Sequence, residues 1–151
     1  MKSSCKFIKF DIVEFYPSIT EKLLTDAINF ASKLTNIDKE TVDVIMHCRK
    51  SLLFCETESW VKKSGAEFDV TMGSFDGAEV CELVGLFLLN QLAKLFGKGE
   101  VGLYRDDGLA VIRNPTGPIT DKIRKNVEQL FKNHNLKITT DTNLSQTDFL
   151  M

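Results

Sequence analysis

Three carboxylates stand out by where they fall. Asp11 lies inside the apolar run Lys6 to Val13, and Asp106 and Asp107 adjoin at a turn flanked by Leu103, Tyr104, Leu109 and Val111. A charged residue within an apolar strand is costly unless it is paired or bound to metal. Adjacent carboxylates at one turn repel each other, and a divalent cation relieves that repulsion. If the first strand lies beside the later pair, Asp11 and Asp106 converge on one sheet edge. Such hard oxygen ligands suit two Mg²⁺ ions that activate a hydroxyl and steady a leaving phosphate. Each part also has a plainer reading, Asp-Asp-Gly as an ordinary turn and Asp11 as a strand-end residue bonded to backbone.

The elements that must position these groups follow from periodicity. Lys6 to Val13 reads as a buried strand, broken by Pro17 and Ser18. Thr20 caps a helix from Glu21 to Ser32, and Asp38 with Thr41 opens a second that carries Val42, Val44, Ile45 and Cys48. Leu52 to Lys63 reads as a hairpin turning at Glu56-Thr57 and pairing Phe54 with Trp60. After a loop from Gly73 to Gly77 comes a long apolar helix, Ala78 to Phe96, closed by Gly97. Strands Val101 to Arg105 and Leu109 to Arg113 follow, joined through Asp106-Asp107-Gly108, where Asp-Gly is a strong hairpin signal. A helix from Pro118 to Asn133 and short strands at Leu136 to Thr140 and Thr147 to Met151 complete the chain. This order predicts an α+β fold, an antiparallel sheet packed by helices.

Composition narrows the function classes. The 151 residues suit one domain, and 43% hydrophobic content is enough for a real core. A net charge of −2 provides no global basic field, so a nucleic-acid partner would be held by a local patch or through metal ions. Cys5, Cys48, Cys55 and Cys81 contain no C-x-x-C pair, which argues against a zinc knuckle. Met1 to Asp11 lacks a secretory pattern and Leu83 to Leu89 is too short to span a bilayer, so the expectation is a reduced, intracellular protein with no membrane partner.

Five segments, in order, resemble a known family. Lys9 to Ile19 (KFDIVEFYPSI) looks like motif A of reverse transcriptases, Thr71 to Leu89 falls where motif B lies, and Leu103 to Val111 (LYRDDGLAV) matches the Y-x-D-D of motif C. Leu130 to Asn143 resembles motif D, and Thr147 to Met151 (TDFLM) looks like the opening of motif E. Together they cover nearly all of the chain and are similar to the reverse-transcriptase domains of invertebrate retroelement polyproteins. The resemblance implies the polymerase palm over residues 1–151, without the fingers and thumb of a larger protein. It implies an RNA-directed DNA polymerase that adds deoxynucleotides from their triphosphates to a primer 3′-hydroxyl on an RNA or DNA template.

By the same resemblance, Asp11 and Asp106 are the metal-bridging carboxylates, Asp107 supports them, and the backbone carbonyl of Ile12 is a further ligand to two Mg²⁺ ions, with Mn²⁺ as a substitute. Tyr16 falls where the family places an aromatic under the incoming sugar, and Gly73 where motif B lets the backbone pass close to nucleotide and template. Motif B itself departs from the usual Q-G-x-x-x-S-P: here Met72-Gly73-Ser74-Phe75-Asp76-Gly77-Ala78 has Met72, Gly77 and Ala78 at the glutamine, serine and proline positions. Lys137 is the candidate for the leaving-group lysine of motif D. Asp11 to Ile19 also resembles the D-x-x-S-L-Y-P-S motif of family B DNA polymerases, whose K-x-x-x-N-S-x-Y-G signature is missing. A different class of reading is a decayed or co-opted palm that binds nucleic acid or a protein without catalysis.

The remaining residues have plainer expectations. Arg49, Lys50, Lys62 and Lys63 read as solvated charges with phosphate contact as the alternative, and Trp60 as a hairpin packing residue. His47 and His134 read as surface or helix-end residues, and Phe7, Phe10, Phe87, Phe96 and Phe131 as core.

Overall fold

The computed structural model of the protein describes residues 5–50, 52–61 and 67–147. Strand β1 (Cys5–Ile12) alternates: Ile8, Phe10 and Ile12 are buried, whereas Lys9 and Asp11 take the opposite, half-exposed face. A single helical turn, α1 (Phe15–Ser18), follows and absorbs Pro17, whose missing N–H costs nothing where first-turn donors have no intrahelical partner. Helix α2 (Glu21–Ala31) begins where the Leu23 amide donates to Thr20 Oγ1 at 3.2 Å. Helix α3 (Lys39–His47) begins where the Thr41 amide donates to Asp38 Oδ1 at 2.7 Å. Both caps are the ones the sequence indicates.

Strands β2 (Leu52–Cys55) and β3 (Glu58–Val61) form a separate two-stranded hairpin. Its register sets Trp60 opposite Leu53 and Phe54 opposite Ser59, one residue away from the expected Phe54–Trp60 pair. Trp60 stands 57% exposed. A ribbon of two strands has no second layer to bury such a ring.

Helix α4 (Gly77–Phe96) buries Val80, Cys81, Val84, Leu88 and Leu92 and contacts both α2 and the sheet. Two strands follow, β4 (Val101–Tyr104) and β5 (Asp107–Arg113). Then come α5 (Gly117–Asn133), with Pro118 in its first turn, and β6 (Ile138–Leu144). The four-stranded sheet runs β4-β5-β1-β6, antiparallel throughout, with helices packed against the face that carries Phe10. The fold is α+β. The last strand candidate, Thr147 to Met151, falls almost wholly outside the described residues, and the preceding one is displaced and lengthened to Ile138–Leu144. Among the described residues no helix is long and apolar enough to cross a membrane.

One packing detail moves the turn between β4 and β5. The β4–β5 register pairs Tyr104 with Asp107, so the two turn residues are Arg105 and Asp106, with Arg105 at φ 53°. The expected Asp107-Gly108 turn is therefore incorrect. Gly108 lies within β5, opposite Phe10, where a Cβ would overlap the Phe10 ring. Phe10 in turn packs on Phe131 of α5 with ring centroids 5.6 Å apart. Glycine is needed there for close approach, not for turning.

Candidate functional site

The β1–β5 register sets Asp11 directly opposite Asp107. Directly opposed residues of an antiparallel pair project to the same face. Across the sheet the row reads Tyr104, Asp107, Asp11, Thr139, on the side away from the helices. Asp106 is exposed at the adjoining turn, and its carbonyl accepts a 2.9 Å hydrogen bond from the Ile12 amide. That bond ties the turn to the end of β1. The three carboxylates named from sequence thus share one corner of the sheet.

The electrostatics of that corner favour added positive charge. Burial raises the Asp11 pKa, and the nearby Asp106 and Asp107 raise it further, while Lys9 opposes them. Lys9 Nζ lies 3.7 Å from Asp107 Oδ1, an ion pair at about a third exposure that screening weakens. Among the described residues no three His, Cys, Asp or Glu side chains close into a ligand cage. An open acidic edge of this kind suits a hard divalent cation that keeps much of its shell from water and phosphate oxygens.

Beside this corner is an open cavity of about 340 Å³, lined by Glu14, Tyr16, Asp69, Thr71, Met72 and Asp106 among others. Tyr16 projects from α1, half-buried, and its side chain hydrogen-bonds that of Cys81 on α4. Burial raises the Tyr16 pKa and pushes the Cys81 thiol up to about 12, so both groups remain protonated at neutral pH. Tyr16 and Asp106 therefore share one concavity.

The other candidates divide. Ile12 is buried, and its amide serves the tie to Asp106. Gly73 follows the lining residue Met72 and adopts φ 87°, with no atom within 4 Å of where a Cβ would lie. Its glycine is required by backbone conformation, with open space alongside. Lys137 is exposed and its carbonyl accepts from the Val13 amide at 2.9 Å. Phe10 and Phe131 are buried, Phe7, Phe87 and Phe96 half-buried, and His47 is exposed. His134 closes α5, half-buried, with its ring edge-on to that of Phe87 at a centroid separation of 5.3 Å.

The expectation of Arg49 as a solvated charge is overturned. Arg49 is 3% exposed, and its guanidinium pairs with Asp76 just before α4. Lys50 is exposed, and Lys62 and Lys63 lie outside the described residues. Cys81 beneath Tyr16 is the other contributor not foreseen. Its place on the apolar α4 stripe indicates burial, but no local pattern names its partner.

Comparison with known proteins matches no family model and no curated protein. Among solved structures the chain is similar to apo telomerase from Candida tropicalis, truncated from its C-terminal domain. The TM-score is 0.61 and the identity 16%, over 95% of this chain and 32% of that one. The chain thus spans about a third of that protein's length, and the likeness extends to the fold.

Proposed function

We propose that this chain is the palm of a reverse transcriptase, an RNA-directed DNA polymerase within a retroelement protein. The reaction is attack of a primer 3′-hydroxyl on the α-phosphate of a deoxynucleoside triphosphate, directed by an RNA or DNA template. The observation that carries the reading is the pairing of Asp11 with Asp107 across two inner strands, next to the Asp106–Tyr16 cavity. The motif resemblance and the telomerase-like fold support it from independent directions.

Asp11 and Asp106 would hold the divalent ions, with Asp107 supporting and the Ile12 carbonyl as a further ligand. Bound Mg²⁺ or Mn²⁺ supplies charge neutralisation at the phosphates and activation of the attacking hydroxyl. The chain's own part is positioning. The Ile12–Asp106 backbone bond fixes the spacing between the β1 carboxylate and the turn. Tyr16, anchored on Cys81, offers a ring on which the incoming sugar packs and against which a 2′-hydroxyl would clash. Gly73 keeps the backbone beside Met72 free of a side chain, leaving room for nucleotide and template.

Titration of Mn²⁺ into the labelled chain, followed by NMR relaxation, tests this reading. Selective broadening of the Asp11, Asp106 and Asp107 amides is expected, lost in Asp11→Asn. Broadening centred elsewhere, or unchanged in that variant, overturns it.

A further inference from the structure

Part of the lining of the cavity that Tyr16 borders comes from a segment with no regular structure, Asp69 to Asp76, of which Asp69, Val70, Thr71 and Met72 line the cavity. Backbone without a ladder or helix holds its shape only through specific ties. Within the segment these are short-range: the Thr71 hydroxyl donates to Asp69 Oδ2 at 2.6 Å, and the Ser74 amide and hydroxyl both donate to the Thr71 carbonyl, at 3.1 and 2.8 Å. They shape the turn itself, while Val70, 1% exposed, seats the start of the segment in the main hydrophobic core.

Arg49 adds a polar tie at each end. Its backbone carbonyl accepts from the Asp69 amide at 2.9 Å, next to the bridge between Lys50 and Phe68. Its guanidinium pairs with the Asp76 carboxylate at the other end, immediately before α4. Asp76 stands at the helix N-cap position but makes no side-chain cap; Arg49 takes its carboxylate instead. The arginine is 3% exposed, and its Nε has no hydrogen-bond partner among the described residues. Burying a guanidinium with one donor unsatisfied is costly. The cost is accepted where two ends of an irregular segment must be held at a set separation.

We infer that Arg49 is a positioning residue for nucleotide binding: it brackets residues 69–76 and so fixes the part of the cavity lining, residues 69–72, that Tyr16 shares. The nucleotide part rests on the function proposed above; the bracket itself does not. The test compares wild type with Arg49→Lys, Asp76→Asn and the double variant Arg49→Met/Asp76→Asn, which leaves no unpaired buried charge and so keeps the fold accessible. Amide hydrogen exchange reads the bracket, and titration with dATP and Mg²⁺ reads the cavity.

The double variant should exchange the amides of residues 69–76 about tenfold faster or more, while β1 and β5 keep their protection. Arg49→Lys should restore part of that protection, and dATP should bind about tenfold more weakly to the double variant than to wild type. Unchanged exchange in residues 69–76, or a loss spread evenly over the whole chain, overturns the inference. So does wild-type dATP affinity in a double variant whose segment has loosened. Absence of dATP binding to wild type, with the local loosening present, counts against the polymerase reading and leaves the bracket standing.

Discussion

Asp11 and Asp107 are direct cross-strand partners, two carboxylates on one face of neighbouring inner strands with Asp106 at the adjoining turn. Burial and these neighbours raise the Asp11 pKa, so the folded chain holds that proton more tightly than the unfolded chain. Stability therefore falls as pH rises from the ordinary aspartate range through the raised value. Asp11→Asn removes that loss. It should melt higher than wild type at neutral pH, with the difference vanishing below about pH 3, where aspartate is protonated in both states. Mg²⁺ should stabilise wild type by about 1.4 kcal/mol at ten times its Kd and leave the variant unmoved. Thermal melts over pH, with and without Mg²⁺, check both; a variant less stable than wild type at neutral pH would contradict the expectation.

Tyr16 lies half-buried between Cys81 and the cavity that Asp106 lines. On the proposed polymerase function, Tyr16→Val in a complete protein carrying this domain should raise ribonucleotide insertion relative to deoxynucleotide by about tenfold or more, because a clash is relieved and no contact is gained. Single-nucleotide insertion of both sugars is the measurement. An unchanged ratio would make Tyr16 a packing residue only.

Primer extension by residues 1–151 alone should be non-processive. The net charge of −2 provides no basic field to hold a duplex, and the carboxylate row is paired in part with Lys9. Extension on an RNA template with Mg²⁺ should give no long products. Robust synthesis would show that this domain grips its substrate without further parts.

Gly108 faces the Phe10 ring, and that ring is held from the other side by Phe131. Gly108→Ala should destabilise the chain by about 1–3 kcal/mol through overpacking, and Phe10→Leu in the same chain should recover part of it. Urea unfolding midpoints of the single and double variants measure the coupling. Additive losses would show that the two positions do not share this contact.

His134 Nε2 lies 2.9 Å from Gln91 Nε2, and its ring edge meets Phe87. Burial lowers its pKa, a shift only partly opposed by Asp26. The folded chain thus takes up this proton less readily than the unfolded one. The stability this represents is complete above the ordinary histidine value near pH 6.5 and declines below it until the lowered value is passed. His134→Gln should flatten the fall in urea midpoint between about pH 7 and pH 5. An identical fall in both proteins would assign it to other groups.

The local elements were legible in the chain because each is written in a local code. Alternation of Ile8, Phe10 and Ile12 marks β1, Thr20 and Asp38 cap their helices, and the apolar stripe from Val80 to Leu92 makes α4 a core helix. The acidic trio was legible for the same reason, since a carboxylate inside an apolar strand and a doubled one at a turn are each visible by themselves. Periodicity assigns a residue to a face, however, and does not name what it meets there. The turn moved to Arg105-Asp106 because Phe10 needs the space at Gly108, which therefore belongs inside the strand. Trp60 lost its expected partner to a one-residue difference in register, which in a ribbon without a second layer no buried face enforces. Arg49 and Asp76 stand 27 residues apart, and no spacing rule links them. Their pairing, like the meeting of Tyr16 with Cys81, exists only once α1, α4 and the segment before α4 are packed around a common core, where a buried charge must find its counterion and a half-buried hydroxyl finds an acceptor.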